Sequence, residues 1–312
     1  MTTQAILLIA AVPDALLDRL ASAWTVHRLF EQDDPQAFLA AKGDTIKAVV
    51  TRGDVGVRKE VLEQLPNVGL VAVFGVGTDA VDLNYTRSKN IAVTITSGVL
   101  TNDVADMAMG LLLAASRRLC QGDSFVRQGK WLNSAPTLGN QVSGKRIGIL
   151  GMGNIGQAIA RRAAGFDMQI SYTSRSRHEA LPYAWHDDVQ SLAQDSDFLV
   201  IAAAGGESTK GLVNADVLHA LPKHAWLINI ARGTLVDQSA LIQALRKGDI
   251  AGAALDVYEQ EPQVPEELIA MSNVVLQPHV GSATHETRQK MSDVVFANVD
   301  AFFKADDLPN AI

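Results

Sequence analysis

The amino-acid sequence predicts an α/β fold in two domains, each built on a parallel sheet. Runs of β-branched and aliphatic residues alternate with stretches of helical periodicity through the whole chain, a pattern that favours parallel strands joined by right-handed helical crossovers. Most of these runs are apolar nearly throughout, as strands covered on both faces are. A glycine-rich turn follows an apolar run twice, at residues 75–80 and 151–156. We therefore predict two Rossmann-like, doubly wound parallel-sheet domains with the ligand site in the cleft between them.

The predicted elements follow in chain order. Strands are predicted at residues 5–10, 46–51, 69–74, 91–94, 146–150, 168–172, 198–202, 226–230, 252–255 and 274–276. Helices are predicted at residues 13–23, 58–64, 101–120, 154–165, 238–247 and 283–304. Lys247 followed by Gly248 predicts a helix that ends in a left-handed glycine. Residues 129–144 are the least regular stretch of the sequence. They contain Trp131, a candidate to reach the active site of a partner subunit.

Length, composition and charge narrow the class of protein. With 312 residues, 47% of them hydrophobic, the chain can bury a large core. Its net charge of −7 argues against a nucleic-acid partner, and no apolar run approaches the ~18 residues that a membrane span requires. The single cysteine, Cys120, excludes an intramolecular disulfide and suits the cytoplasm. Its position at the end of a predicted helix suggests a buried or half-buried thiol.

The glycine turn at residues 151–156 has the features of a dinucleotide site. It follows the predicted strand 146–150 and opens a helix, so that the backbone can approach a pyrophosphate at the helix N-terminus. The next strand ends without the Asp or Glu that usually binds the ribose 2′-hydroxyl about 20 residues on. Two guanidiniums, those of Arg175 and Arg177, and two hydroxyls stand there instead and suit a 2′-phosphate, which indicates NADP(H) rather than NAD. The candidate cofactor residues are Gly151, Met152, Gly153, Asn154, Ile155, Gly156, Ser174, Arg175 and Ser176.

A second turn, at residues 75–80, fits the same degenerate glycine pattern. The strand after it ends in Thr96, Ser97 and Gly98, with neither an acid nor a cation to recognise a ribose. One turn is therefore expected to hold the cofactor, and the other to do something else.

Three ionisable residues come directly or shortly after predicted strands of the second half: Arg232, Glu261 and His279. An arginine offers a bidentate fork to a carboxylate and polarises the adjacent carbonyl. A histidine can supply a proton, and a carboxylate beside it favours the imidazolium. Each residue taken alone is also compatible with a capping, turn or loop position. Their shared place after strands favours the reduction of a 2-keto acid.

The segments that carry these residues resemble a known family. Residues 227–237, 255–262 and 277–282 are similar to the signatures of the D-isomer-specific 2-hydroxyacid dehydrogenases, and the resemblance runs from about Val49 to the C-terminal helix. The Ser-Arg-Ser sequence at residues 174–176 is most similar to the NADP-preferring branch of glyoxylate/hydroxypyruvate and hydroxyphenylpyruvate reductases. Glu261 argues against the formate dehydrogenase branch, which has an amide at that position.

The resemblance implies roles for single residues. Arg232 anchors the substrate carboxylate and keto group, His279 is the proton donor, and Glu261 is its partner. Asp256 holds the nicotinamide carboxamide, and Ile230 packs nearby. The loop containing Val76 and Gly77 offers backbone N–H groups to the substrate carboxylate.

The resemblance also implies a domain arrangement. Residues 1–97 plus 282–312 form a discontinuous substrate domain around an NADP-binding domain at residues 98–281, and the protein is a cytoplasmic homodimer. One departure concerns the adenine side, where many relatives carry a Pro-Leu-Thr-Pro-like loop. This chain has Ala203-Ala204-Gly205-Gly206 before Thr209, so Ala203 and Thr209 are the candidates there.

The substrate pocket is the least determined part of the prediction. Arg52 follows a strand of the substrate domain and is a candidate to bind a distal polar group, although an exposed loop arginine is as compatible. Leu100 and Phe74 are candidates for an apolar wall, with core packing as the alternative for Phe74. Glyoxylate, hydroxypyruvate, 2-ketogluconate and an arylpyruvate all stay open as substrates. A non-catalytic, dinucleotide-sensing protein of the same fold is the alternative from another functional class.

Overall fold

The computed structural model describes residues 4–312, and the chain divides into two compact units. One unit consists of Met1–Leu100 and Ala283–Ile312, and the other of Thr101–Ser282. Each unit is built on one parallel sheet, so the predicted α/β fold class with two parallel-sheet domains is confirmed. Within residues 4–312, no helix is both long and apolar enough to cross a membrane.

The secondary structure alternates strands with helices, as predicted. The strands are β1 Ala5–Leu8, β2 Thr25–Arg28, β3 Ile46–Arg52, β4 Leu70–Phe74, β5 Ala92–Thr94, β6 Arg146–Leu150, β7 Gln169–Thr173, β8 Ala184–Trp185, β9 Phe198–Ile201, β10 Trp226–Asn229, β11 Gly252–Leu255 and β12 Val274–Leu276. The α-helices are α1 Asp14–Ala23, α2 Pro35–Lys42, α3 Lys59–Leu62, α4 Leu83–Ser88, α5 Thr101–Ser116, α6 Leu119–Arg127, α7 Asn154–Ala164, α8 Val189–Gln194, α9 Ala215–Ala220, α10 Gln238–Lys247, α11 Glu266–Ala270 and α12 His285–Lys304.

The first unit contains a five-stranded sheet in the order β2-β1-β3-β4-β5. All neighbouring strands are parallel, and the register pairs Arg52 at the end of β3 with Phe74 at the end of β4. Strands β1 and β4 are buried along their whole length. Each fully buried aliphatic side chain there stabilises the fold by roughly 1.5–3 kcal/mol. The C-terminal helix α12 packs against β4.

The second unit contains a seven-stranded parallel sheet in the order β12-β11-β10-β9-β6-β7-β8. The four central strands from β11 to β6 are buried almost throughout because helices cover both faces. The strands β10, β11 and β12 are direct neighbours. Because the carboxyl ends of parallel strands meet at one sheet edge, the loops after these three strands lie side by side.

Local capping explains where several helices begin and end. The side chains of Asp188, Asn214 and Asp237 each accept a hydrogen bond from a backbone N–H in the first turn of the helix that follows. Helix α10 ends at Lys247, and Gly248 adopts the left-handed conformation with φ of 70°. This confirms the glycine cap predicted there.

The structure corrects the predicted helix 101–120. Helix α5 ends at Ser116, Arg118 is left-handed with φ of 54°, and a separate helix α6 starts at Leu119. The carbonyl of Ser116 accepts a hydrogen bond from the Asn140 N–H at 2.7 Å and so leaves the helical pattern. Helix α6 has no buried residue, and Cys120 is exposed, so the expectation of a buried or half-buried thiol is wrong.

Two strands were not predicted from the sequence. β2 and β8 lie at sheet edges, and each has a single strand neighbour. Their residues are intermediate or exposed, and β8 has only two residues. An edge strand that is half solvated lacks the continuous apolar run by which the other strands were recognised.

Candidate active site

The first glycine turn joins β6 to α7 and needs glycine at two positions. Gly151 has φ of 100°, and a Cβ there would lie 2.6 Å from the backbone of Ala203. A Cβ on Gly156 would lie 2.0 Å from the carbonyl oxygen of Gly151. A Cβ on Gly153, by contrast, would meet no atom within 4 Å. Glycine at Gly151 and Gly156 therefore brings the helix start close to the sheet.

The start of α7 presents a row of unused backbone donors. Within residues 4–312, the N–H groups of residues 152–156 donate to no acceptor of the chain. These N–H groups lie at the positive end of an 11-residue helix, where an anionic group such as a pyrophosphate is stabilised. Of these residues, Met152 is buried and Asn154 is exposed. Unused backbone N–H donors and glycines that allow close approach are the features that a dinucleotide pyrophosphate requires, so this loop fits the cofactor.

The end of β7 carries the cationic segment that follows. The Ser174 hydroxyl donates to the carbonyl oxygen of Ser176 at 2.7 Å, which closes a tight turn. Arg175 is exposed, and its guanidinium makes no ion pair with any residue that the structure describes. Arg177 differs, because it lies 3.5 Å from the carboxylate of Glu179. Arg175 is therefore the cation of this turn that is available to a ligand.

A buried tyrosine fixes the course of this segment. Tyr172, in β7, is almost completely buried. Its hydroxyl oxygen accepts a hydrogen bond from the His178 N–H at 2.9 Å, and its ring lies beside the His178 ring. The turn with Arg175 is thus folded back over the strand end.

The loop after β9 lies against the first glycine turn. Ala203 directly faces Gly151, as the close approach of their backbones shows. The Thr209 hydroxyl hydrogen-bonds the carbonyl oxygens of Ala204 and Gly206, at 3.0 and 3.1 Å. Thr209 therefore holds its own loop together, and the adenine-side role expected for Ala203 and Thr209 stays a prediction.

A buried asparagine stabilises the turn after β10 by hydrogen bonds to the backbone of that turn. Asn229 donates from Nδ2 to the carbonyl oxygen of Arg232 at 2.9 Å, and its Oδ1 accepts from the Ala231 N–H at 3.0 Å. Ile230 is buried in this turn. A Cβ on Gly233 would lie 1.9 Å from the carbonyl carbon of Tyr258. The segment with Arg232 is thereby pressed against the one that leads to Glu261.

Glu261 and His279 form a direct pair. Oε2 of Glu261 lies 2.6 Å from Nδ1 of His279, and Oε1 accepts a hydrogen bond from the Tyr258 N–H at 3.0 Å. The two side chains keep 27% and 32% of their surface exposed. Within the described part of the chain, Nε2 of His279 has no hydrogen-bond partner. The pair therefore points one ring nitrogen at a carboxylate and leaves the other for a ligand.

The backbone of His279 is itself unusual. Its φ of 54° lies in the left-handed region, which non-glycine residues seldom adopt. The His279 N–H donates to the carbonyl oxygen of Asp256 at 2.8 Å. The Asp256 carboxylate accepts from the N–H groups of Val280 and Gly281, both at 2.8 Å. Asp256 thus holds the His279 loop in this conformation, and its predicted contact with the nicotinamide stays a prediction.

The charges of the site favour an ionised Glu261. Burial alone raises the pKa of Glu261, but the hydrogen bonds from His279 and from the Tyr258 N–H oppose it. The positive charges of His279 and Arg232 act in the same direction, and together they hold the pKa of Glu261 below its ordinary 4.5. Arg232 is thus electrostatically coupled to the Glu261–His279 pair. The three residues predicted from the sequence come together in the second unit.

Sequence reasoning missed two supporting residues, Asn229 and Tyr258. Burial raises the pKa of Tyr258 to about 12, and its hydroxyl donates to the Gln277 carbonyl oxygen at 2.9 Å. This bond ties the loop after β11 to the end of β12, just before His279. A polar residue at the last position of an otherwise apolar strand is the signal by which Asn229 was recognisable.

The second glycine turn, in the first unit, has a different form. Gly75 has φ of 153°, and a Cβ there would lie 3.3 Å from the backbone of Gly53. No helix starts here, since α4 begins only at Leu83. Within residues 4–312, the N–H groups of Val76 and Gly77 donate to no acceptor of the chain. Two free donors in a loop suit a carboxylate.

The remaining substrate candidates have mixed surroundings. Arg52 is half-buried and hydrogen-bonds the Asp54 carboxylate, from Nε to Oδ1 at 2.9 Å. Leu100 and Phe74 are buried, at 5% and 4% exposure, which favours core packing for Phe74. Trp131 is 68% exposed and lies in a short 3₁₀ turn. The pocket roles expected for Arg52 and Leu100 stay predictions. Among the described residues, no group of three or more His, Cys, Asp or Glu side chains is arranged to hold a metal ion.

Comparison with known proteins shows the family of this chain. Residues 109–281 match the model of the D-isomer specific 2-hydroxyacid dehydrogenase, NAD binding domain. A glyoxylate/hydroxypyruvate reductase A of Arabidopsis thaliana is 43% identical over 99% of this chain and 98% of its own length. A hydroxyphenylpyruvate reductase of Plectranthus scutellarioides is 43% identical over 97% of both chains.

A solved structure extends the comparison. The NADPH-dependent glyoxylate/hydroxypyruvate reductase of Sinorhizobium meliloti, in complex with NADP and malonate, is 38% identical, covers 99% of this chain and 97% of its own, and superposes with a TM-score of 0.94. The family resemblance seen in the sequence is thereby confirmed. This chain belongs to the D-isomer specific 2-hydroxyacid dehydrogenase family.

Proposed function

We propose that this protein is an NADPH-dependent reductase that converts small 2-keto acids, of the glyoxylate and hydroxypyruvate type, to D-2-hydroxy acids. The observation that carries the proposal is the 2.6 Å pair of Glu261 and His279, coupled to Arg232, after three neighbouring strands. The names of the two relatives and of the solved structure support the same class of reaction. They differ in substrate and so leave the individual keto acid open.

The residues of this chain divide the work of the reaction. Arg232 binds the substrate carboxylate and polarises the neighbouring carbonyl through its guanidinium. Protonated His279 donates the proton of Nε2 to the carbonyl oxygen as that oxygen gains negative charge. Glu261 holds the imidazole by Nδ1 and stabilises its positive charge before the transfer. NADPH, when bound, supplies the hydride for the carbonyl carbon, so proton and hydride together convert the carbonyl to the hydroxyl of the 2-hydroxy acid.

The residues present also fit NADPH in particular. The unused N–H groups of residues 152–156 suit the pyrophosphate. Arg175 has no ion pair within the described residues and follows the strand where an NAD-binding protein would carry an acid. A 2′-phosphate on the ribose provides the anion that this arginine lacks.

The test is NADPH oxidation on adding glyoxylate or hydroxypyruvate, in the unmodified protein and in His279→Gln. We expect turnover to fall by on the order of 10²–10⁴-fold in the variant because the proton donor is lost. NADPH binding, followed by fluorescence, should be retained. His219→Gln is the matched control, because His219 lies on the surface and bonds only within α9 and to Asp249. An unchanged rate in His279→Gln contradicts the proposal, and no turnover across a keto-acid panel favours a dinucleotide sensor.

We further propose that the protein is a homodimer. Support comes from a group of apolar side chains that are more than half exposed, in and after helix α6: Leu119, Val126, Trp131, Leu132 and Leu138. Apolar patches of this kind mark association sites. Leu132→Glu should shift the mass seen by light scattering from dimer to monomer. Ile269→Glu, at another exposed apolar residue, should not. A monomeric unmodified protein contradicts this proposal.

We also place the protein in the cytoplasm. Cys120 is its only cysteine and is an exposed, free thiol, which is compatible with a reducing compartment. Fractionation of cells that express the full chain checks this, and recovery of the protein outside the cytoplasmic fraction contradicts it.

A further inference from the structure

Arg288 is a half-buried cation that none of the reaction steps uses. It is the fourth residue of α12, and its guanidinium carbon lies 5.6 Å from the centre of the Phe74 ring. Within residues 4–312, its guanidinium makes no hydrogen bond and no ion pair. The neighbouring Arg52, by contrast, is paired with Asp54. Arg288 is only partly exposed, and withdrawing a cation from water without a counter-charge is unfavourable, so the surroundings of Arg288 need an explanation.

The electrostatic surroundings of Arg288 are unfavourable. Burial and the charge of Arg52 lower the pKa of Arg288, and the more weakly acting Asp54 only partly opposes them. The position near the N-terminus of α12 adds the positive end of the helix dipole. The Phe74 ring offers a cation–π contact, which is worth only about 0.5–1 kcal/mol at a partly exposed site. An anion bound beside the two arginines would give Arg288 the counter-charge that Arg52 already has in Asp54.

The two arginines share an edge with the second glycine turn. Arg52 and Phe74 end neighbouring strands and are register partners. The Gly53 N–H donates to the Phe74 carbonyl oxygen at 3.4 Å. Phe74 directly precedes the turn whose Val76 and Gly77 N–H groups are unused. Within the first unit, the Val76 and Gly77 N–H groups suit one carboxylate. Arg52 and Arg288, near the same turn, suit a second anion.

We propose that Arg288, together with Arg52, binds a second anionic group at the far end of the substrate, a carboxylate or a phosphate. This rests on the proposed keto-acid reductase function and extends its substrate class to 2-keto acids that carry a second, distal anion. Two guanidiniums beside one acid disfavour an arylpyruvate, whose ring brings no charge to compensate theirs.

The experiment compares kcat/KM across glyoxylate, phenylpyruvate, oxaloacetate and 3-phosphohydroxypyruvate. The last two carry a distal carboxylate and a distal phosphate, so they distinguish the two sources of the anion. The variants are Arg288→Met, which keeps the length of the side chain, and Arg288→Lys, which keeps its charge. Lys290→Met is the control, because Lys290 is an exposed cation on the same helix.

We expect the ratio of kcat/KM for the better dianionic acid to that for glyoxylate to fall roughly 10–100-fold in Arg288→Met, the range for losing a charged hydrogen bond. The loss should appear mainly in KM, Arg288→Lys should recover part of it, and Lys290→Met should leave the ratio as it is. Because glyoxylate is measured on the same sample, a folding defect affects both terms and cancels.

Two results overturn the inference. One is an unmodified protein that reduces glyoxylate but neither dianionic acid, and the other is a ratio that Arg288→Met does not change. Both results leave the proposed reductase function intact and contradict only the proposal that Arg288 and Arg52 bind a distal anion. Absence of turnover with every keto acid is a different result, because it removes the proposed function and this inference together.

Discussion

The two glycine turns of this chain look alike in sequence and differ in structure. After β6, helix α7 begins at Asn154, and the N–H groups at the helix start have no acceptor among the described residues. After β4, the chain runs on as a loop until α4 begins at Leu83. Gly156 packs against the backbone of Gly151 inside its own turn, whereas Gly75 packs against Gly53 of the neighbouring strand end.

The difference shows what the glycine pattern measures. Glycine permits close backbone approach in both turns, but the partner of that approach differs. In the first turn Gly151 approaches Ala203 of another loop, and Gly156 at the start of α7 also approaches Gly151, so the helix start favours a site for a pyrophosphate. In the second turn Gly75 approaches only the backbone of Gly53, no helix start is involved, and a short run of unused donors results. The ligand is therefore decided by the element that follows the glycines.

The largest expected effect on stability is that of Gly156→Ala. A Cβ there meets the Gly151 carbonyl oxygen at 2.0 Å. We expect the free energy of unfolding to fall by about 1–3 kcal/mol from overpacking and NADPH binding to weaken ~10-fold or more as donors are displaced. Urea unfolding and fluorescence titration measure these. Gly153→Ala is the control, since its Cβ would meet no atom within 4 Å, and equal stability of the two variants would contradict the packing argument.

Arg175→Ala tests the cation that singles out the first turn. We expect the Kd for NADPH to rise by about 10–100-fold, because a charged contact to the 2′-phosphate is lost. The Kd for NADH should change far less. Arg177→Ala is the matched control, since Arg177 pairs with Glu179. Equal or better efficiency of the unmodified protein with NADH would refute the assignment of Arg175.

Gly75→Ala tests the second turn. An alanine there would have to adopt a φ of 153°, with its Cβ 3.3 Å from the backbone of Gly53. We expect this strain to lower the free energy of unfolding by roughly 1–2 kcal/mol. Because the sequence predicts that this turn binds the substrate carboxylate, the KM for the keto acid should rise. The Kd for NADPH should change by no more than about 3-fold, which is less than the change expected from losing one charged hydrogen bond. If NADPH binding weakens as much as in Gly156→Ala, the two turns do not divide the ligands as proposed.

The smallest expected effect is on the pH dependence of stability. It concerns the Glu261–His279 pair of the second unit, because Arg52 in the first unit stays charged at all accessible pH values. The folded-state pKa of Glu261 lies below 4.5. Its stabilising contribution is thus complete above about pH 5 and is lost as the pH falls through the folded-state pKa. Glu261→Gln should lower the free energy of unfolding at neutral pH by about 1 kcal/mol or less, because the pair is partly exposed.

The difference between Glu261→Gln and the unmodified protein should vanish in acid. Thermal unfolding between neutral and acidic pH measures it, with the neighbouring surface acid variant Glu259→Gln as control. A difference that grows as the pH falls would mean that Glu261 is protonated in the folded protein.

Much of the fold was predictable because most strands are central. Strands such as β4 and β10 are buried on both faces, so they appear in the sequence as continuous apolar runs. The edge strands β2 and β8 lack that signal, and the break after Ser116 depends on a hydrogen bond from Asn140, distant in sequence. Arg232, Glu261 and His279 were recognisable by chemistry and position. Asn229 was recognisable as a polar residue at the end of an apolar strand, but the bonds that Asn229 and Tyr258 make to the backbone of the site loops form only in the folded protein.

The sequence by itself predicted the family and the fold class, and it indicated the reacting residue types and, at the end of β7, the cofactor. These depend on local patterns: an apolar run, glycine spacing, and an arginine where an acid is usual. Only the tertiary structure decided which turn has a helix start behind it, that Glu261 meets His279, and that Arg288 makes no ion pair with any residue among 4–312. Those properties depend on which strands are neighbours and which backbones touch, and residues far apart in the chain meet only after the sheets have formed.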